Sequence, residues 1–80
     1  MQQTKSLLLA DLKKGQKAKI VRFTSEDIFL KLMEMGCLPG EQIEIVKKAP
    51  LNDPLSVAVA GYTLSLRVDE AKHIEVELIS

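Results

Sequence analysis

The segment Leu30 to Gly40, LKLMEMGCLPG, sets an amphipathic helix against a Gly/Pro turn, and from there apolar and polar residues alternate almost to Ser80. A period of two sustained over that length demands strands with one buried and one wet face. Ile43 and Ile45 flank Glu44. Leu55, Val57 and Val59 alternate with Ser56, Ala58 and Ala60, and Leu64 and Leu66 with Thr63, Ser65 and Arg67. Ile74, Val76 and Leu78 alternate with Glu75 and Glu77. Such strands cannot lie open to water, and the economical arrangement curls them into a small barrel whose open end a helix covers.

The rest of the chain fits that plan. An earlier strand spans Lys17 to Phe23, where Ala18 and Ile20 face one way and Val21 and Phe23 the other, so a bulge or burial on both faces is expected. Thr24 and Asp27 stand at capping-box spacing and predict a helix start. At 100° per residue, Met35, Ile28, Leu32, Phe29 and Met33 cover an apolar arc of about 160°, opposite Asp27, Lys31 and Glu34, while Leu30 falls outside both groups. Gly36 ends the helix and Pro39 keeps it from resuming. Pro50 and Pro54 bracket a loop, Gly61-Tyr62 predicts a two-residue type II′ hairpin turn, and Asp69 to His73 reads as one helical turn. Leu9 to Gln16 reads as a short turn closed by Gly15. The sum is mainly β, with about five short strands and one helix inserted after the first.

A chain of 80 residues buries only about 60 to 65% of its unfolded surface, so one domain over residues 1–80 with its core in 9–78 is expected. Aromatics make up only 4%, which leaves Ile, Val, Leu, Met and Ala to fill that core. Eleven basic and eleven acidic side chains cancel, removing the electrostatic footprint of a nucleic-acid binder. The apolar run Leu7 to Ala10 is too short for a signal core or a membrane span, which predicts a cytoplasmic protein without direct membrane insertion. Cys37 is the only cysteine and His73 the only histidine, too few for a zinc site, and no nucleophile with an adjacent base or phosphate loop is present. The expected catalytic residues, metal ligands and cofactors are therefore none. Cys37 reads as a small buried residue, His73 as an exposed one, and Glu75 and Glu77 as the solvated face of a strand.

Four stretches resemble one family in order and spacing: LADLKKGQKAKI (Leu9 to Ile20), LMEMGCLPGEQIEI (Leu32 to Ile45), KKAPLNDPLSV (Lys47 to Val57) and GYTLSLRVDEAKHIEV (Gly61 to Val76). They are similar to the FeoA family, small cytoplasmic accessories of bacterial ferrous-iron transport. The resemblance implies an SH3-like barrel and a role beside FeoB, a membrane transporter with a cytoplasmic GTPase domain, either on that domain or on a membrane-facing surface. Transition-metal ion binding is also associated with it, without a ligand set. Asn52 stands where a glycine is frequent, Cys37 where an aliphatic residue is common and Val68 where a basic residue often sits. Asn tolerates a left-handed φ, so the loop should keep its shape. The same resemblance extends to the C-terminal SH3-like module of metal-dependent transcriptional repressors. It supplies a second, regulatory reading, disfavoured by the lack of a helix-turn-helix segment.

With no chemistry in the interior, the surface must carry the function. Leu30, Met33 and Leu51 are the apolar side chains expected to face a partner, and Arg67 is expected to reach either Glu70 or an acidic partner patch. The strand Lys17 to Phe23, taken as an edge, would let the chain form a weak homo-oligomer.

Overall fold

The computed structural model describes residues 7–51 and 53–79. The expectation for Asn52 lies outside them. In chain order the elements are β1 (Leu7–Leu8), a 3-10 turn (Leu9–Asp11), β2 (Lys17–Phe23), α1 (Glu26–Met33), β3 (Gln42–Lys48), β4 (Leu55–Val59), β5 (Tyr62–Leu66), α2 (Val68–Ala71) and β6 (Ile74–Leu78). The strands form one antiparallel sheet in the order β1-β6-β2-β3-β4-β5. The mainly β, SH3-like class is as the sequence implied. Among the described residues the ladder does not close: β1 and β5 are its two edges.

Two bulges bend the sheet. Ile20 pairs with Val76 and Arg22 with Glu75, leaving Val21 as the extra residue on β2. Ile45 pairs with Val57 and Lys47 with Ser56, leaving Val46 extra on β3. Each bulge turns its valine outward, which resolves the conflicting faces read in Lys17 to Phe23. Inside the bend lies one cluster, with Leu9, Leu12, Ile20, Ile43, Ile45, Leu55, Val57, Ile74 and Val76 all buried. No buried charged or polar residue interrupts it among the described residues.

Leu32 is the helix's contribution to that core and is 1% exposed. Burying one leucine contributes about 1.5–3 kcal/mol before entropy is subtracted. Ile28, Phe29 and Met35 are half-buried, but Met33 is exposed, so the buried arc is narrower than the helical wheel implied. The helix closes around Gly36 (φ +84°), where Gly36 N–H donates to Met33 O at 3.0 Å and Cys37 N–H to Leu32 O at 3.2 Å. These are the paired bonds of a Schellman motif, and Leu32 and Cys37, its apolar pair, are both buried.

Several local expectations are corrected. The N-cap of α1 is Ser25, whose Oγ accepts from Ile28 N–H at 3.3 Å; Thr24 instead places its Oγ1 3.2 Å from His73 Nδ1. The β4–β5 turn is Ala60-Gly61, one residue earlier than expected. Both residues have positive φ (52° and 83°), and Val59 pairs with Tyr62. That is type I′ geometry, whose twist matches the flanking strands better than an unprimed turn would. Six strands replace about five because Leu7 and Leu8 pair with Val76 and Glu75. Strand Lys17–Phe23 is not an edge but sits between β6 and β3, so self-pairing through it is ruled out.

Candidate interaction surface

Helix α1 presents apolar side chains outside the core. Leu30 and Met33 are one turn apart, so they share a face. They are 51% and 41% exposed, and Leu38, just past the Schellman turn, is 41% exposed. Beside the helix N-terminus, the rings of Phe23 and Phe29 tilt against each other with centroids 5.4 Å apart. They line a shallow groove of about 380 Å³ with Arg22, Ser25, Glu26 and Pro39. Arg22 is held at this margin by Glu75, which accepts from its Nε at 2.9 Å and from its Nη2 at 3.3 Å across the β2–β6 pair. Glu75 therefore does more than solvate its strand.

The far end of α1 is tied to α2 through the ion pair of Lys31 with Glu70. The same carboxylate accepts the backbone N–H of Arg67 at 3.0 Å, and Asp53 Oδ1 accepts the N–H of Val68 at 3.1 Å. The Lys31 hydrogen bond and the Arg67 N–H together hold the Glu70 carboxyl below its ordinary range. A string of direct contacts thus runs from Lys31, next to Leu30, through Glu70 and the α2 N-terminus to Asp53, two residues from Leu51. Leu51 is 88% exposed. Arg67 meets Glu70 through its backbone, not its side chain, and its guanidinium has no ion pair among the described residues.

Sequence reasoning picked out Leu30, Met33, Leu51 and Arg67, all of which are exposed here. It missed the residues that organise them. Lys31 and Glu70 are 39 positions apart, and each alone reads as a solvated charge. Leu38 went unmarked within the Gly/Pro turn, Phe29 was counted in the apolar arc of the helix and Phe23 on a face of its strand, and the packing of the two rings shows only in the fold.

Cys37 is buried, and burial pushes its thiol up, with the Glu41 carboxylate adding to the effect. It stays a thiol at neutral pH. Among the described residues no group of three or more His, Cys, Asp or Glu side chains is placed to hold a metal ion. No described helix is long and apolar enough to cross a membrane.

The FeoA domain model matches residues 7–78. A curated relative, the Fe(2+) transport protein A/Fe(2+) transporter FeoB fusion protein of Porphyromonas gingivalis, is 44% identical over 73 residues. That match takes in 90% of this chain but only 9% of the relative. The solution structure of a FeoA-like protein from Clostridium acetobutylicum superposes with a TM-score of 0.89 at 38% identity, over 98% of this chain and 92% of that one. Stenotrophomonas maltophilia FeoA, solved with zinc and described as a procaryotic SH3 domain protein, gives a TM-score of 0.78 at 29% identity, over 89% of each chain. A manganese-dependent transcriptional repressor matches 98% of this chain, over 44% of its own length, with a TM-score of 0.85 but only 15% identity, a likeness of fold alone.

Proposed function

Because this chain belongs to the FeoA family, we propose that it is a non-enzymatic cytoplasmic accessory of ferrous-iron uptake that docks on FeoB and modulates it. The observation that carries the reading is the relative in which the same domain is joined in one chain to FeoB. Covalent linkage raises the effective concentration of two modules to about the millimolar range, which serves domains that must meet. The α1 face supplies the docking chemistry. Leu30 and Met33 offer apolar surface on a helix fixed at both ends, and methionine adapts its shape to a partner groove. Arg67 provides a cation for an acidic rim. The regulatory alternative has only a shared fold behind it.

The test is a binding titration against the cytoplasmic part of FeoB, with uptake of ferrous iron measured in parallel. Each of the two α1 side chains has roughly half its surface left to bury, worth about 1 kcal/mol apiece. Leu30→Asp with Met33→Asp should therefore weaken docking by about thirtyfold or more, since a buried carboxylate adds its own cost. Melting should stay unchanged because neither residue belongs to the core. Undiminished affinity in a folded double variant would discard the α1 surface.

A further inference from the structure

Among the described residues the sheet has two edges. Two residues of β1, Leu7 and Leu8, are described. Strand β5, Tyr62-Thr63-Leu64-Ser65-Leu66, is five residues long, pairs with β4 in unbroken register, and carries no charge, proline or bulge. Among the described residues nothing pairs with its outer side. Natural sheets protect edges with one of those devices, and β5 has none.

The parity of the ladder says which backbone groups face out. Ile45 directs its N–H to Gln16 O (3.1 Å) and accepts from Gly15 N–H (2.8 Å), both on the β2 side. Its own partner Val57 must therefore turn its groups the other way, toward Leu64. Leu64 is thus satisfied inward, and Thr63 and Ser65 present their N–H and C=O groups outward. The type I′ turn requires the same parity, because Val59 and Tyr62 flank it as a bonded pair.

We propose that β5 is a self-association edge, pairing antiparallel with β5 of a second copy of this chain about a two-fold axis at Leu64. In that register Thr63 faces Ser65 of the second copy and each exchanges two backbone bonds, giving four in all. Leu64 meets Leu64 of the second copy in the close, non-bonded position, and Tyr62 meets Leu66, so the apolar faces run on from one core to the other. Leu64 already packs on the core and Leu66 is buried in it. The only charge near the end of the strand, Arg67, falls opposite Gly61, so no like charges oppose each other. This self-complementarity is what selects a second copy as the occupant.

Sedimentation equilibrium over about 0.01–1 mM protein, the range expected of so small an interface, should show the 8.9 kDa chain converting reversibly to twice that mass. Thr63→Pro deletes an outward N–H and leaves the β4 ladder whole, removing two of the four bonds. It should weaken association by about tenfold or more with the fold retained. Ser65→Lys, on the exposed face, should act alike. Leu64→Cys should cross-link to itself under mild oxidation, because Cβ atoms at such a position lie within disulfide reach. A monomer throughout the range, or a dimer that survives Thr63→Pro and Ser65→Lys and leaves Leu64→Cys uncross-linked, overturns the proposal.

Discussion

Gly36 seats helix α1 on the sheet, and the cost of changing it can be divided into two separable parts. A Cβ built on Gly36 would lie 3.1 Å from the Ala60 Cβ at the β4–β5 turn. Its φ of +84° also belongs to the left-handed region, which costs an L-residue about 1–2 kcal/mol. Ala60 is itself left-handed at φ 52° and exposed, so it bears a similar strain with no burial to offset it. Ala60→Gly alone should release that strain at the expense of about 0.5–1 kcal/mol of extra chain entropy, leaving the protein more stable by about 0.5 kcal/mol. Gly36→Ala alone should destabilise by about 1.5–2 kcal/mol, the strain plus about 1 kcal/mol for forcing two methyl groups together, less the about 0.5–1 kcal/mol of chain entropy that alanine saves. In the Ala60→Gly background the contact between methyl groups vanishes, and Gly36→Ala should cost only about 0.5–1 kcal/mol. The expected coupling is therefore about 1 kcal/mol, read from urea midpoints with unchanged slopes across the four proteins. Coupling below about 0.3 kcal/mol would refute the claim that the helix end is held by close approach to the hairpin.

Two further outcomes follow from the supports of α1. Ser25→Ala should lose about 1 kcal/mol of stability by uncapping Ile28 N–H, whereas Thr24→Ala should cost markedly less because its hydroxyl meets only the exposed His73; equal losses in thermal melts would return the cap to Thr24. Glu70→Gln should lose about 0.2–1 kcal/mol at pH 7, as expected of a surface ion pair. Glu70 has a folded-state pKa below its unfolded one, so its contribution is present above about pH 4.3 and disappears as pH falls through the folded value. Denaturant titrations of the two proteins should thus converge once the pH has fallen below the folded value, and a gap that persists in that acid limit would mean that packing, not charge, holds α1 to α2.

What could be read from the chain was whatever has a local cause. Alternation of apolar residues located β3, β4, β5 and β6 because one buried face imposes a period of two on each strand. Gly36 announced the helix end because only a residue without a Cβ takes that φ cheaply. The bulge at Val21 was legible as a conflict between faces, yet its twin at Val46 was not, since Ile43 and Ile45 already satisfied the pattern and the extra residue only shows once Lys47 is seen opposite Ser56. The Ala60-Gly61 turn was misplaced by one residue because alanine seldom accepts a positive φ, and glycine by itself marks either position of a primed turn. Strand β1 escaped because its described residues, Leu7 and Leu8, carry no period at all. The same division runs through the surface. The exposure of Leu30 follows from helical spacing, whereas that of Met33, inside the apolar arc, shows only in the fold, and the placement of Arg67 and Leu51 relative to α1 depends on Lys31 reaching Glu70 and Asp53 reaching Val68. Those contacts join residues 39 and 15 positions apart. No helical or strand period joins either pair, and none could show that the strand best able to receive a neighbour is β5 instead of β2. An edge is a property of the finished sheet: β2 looks like one in isolation and acquires both neighbours only when the chain returns as β3 and, last of all, β6.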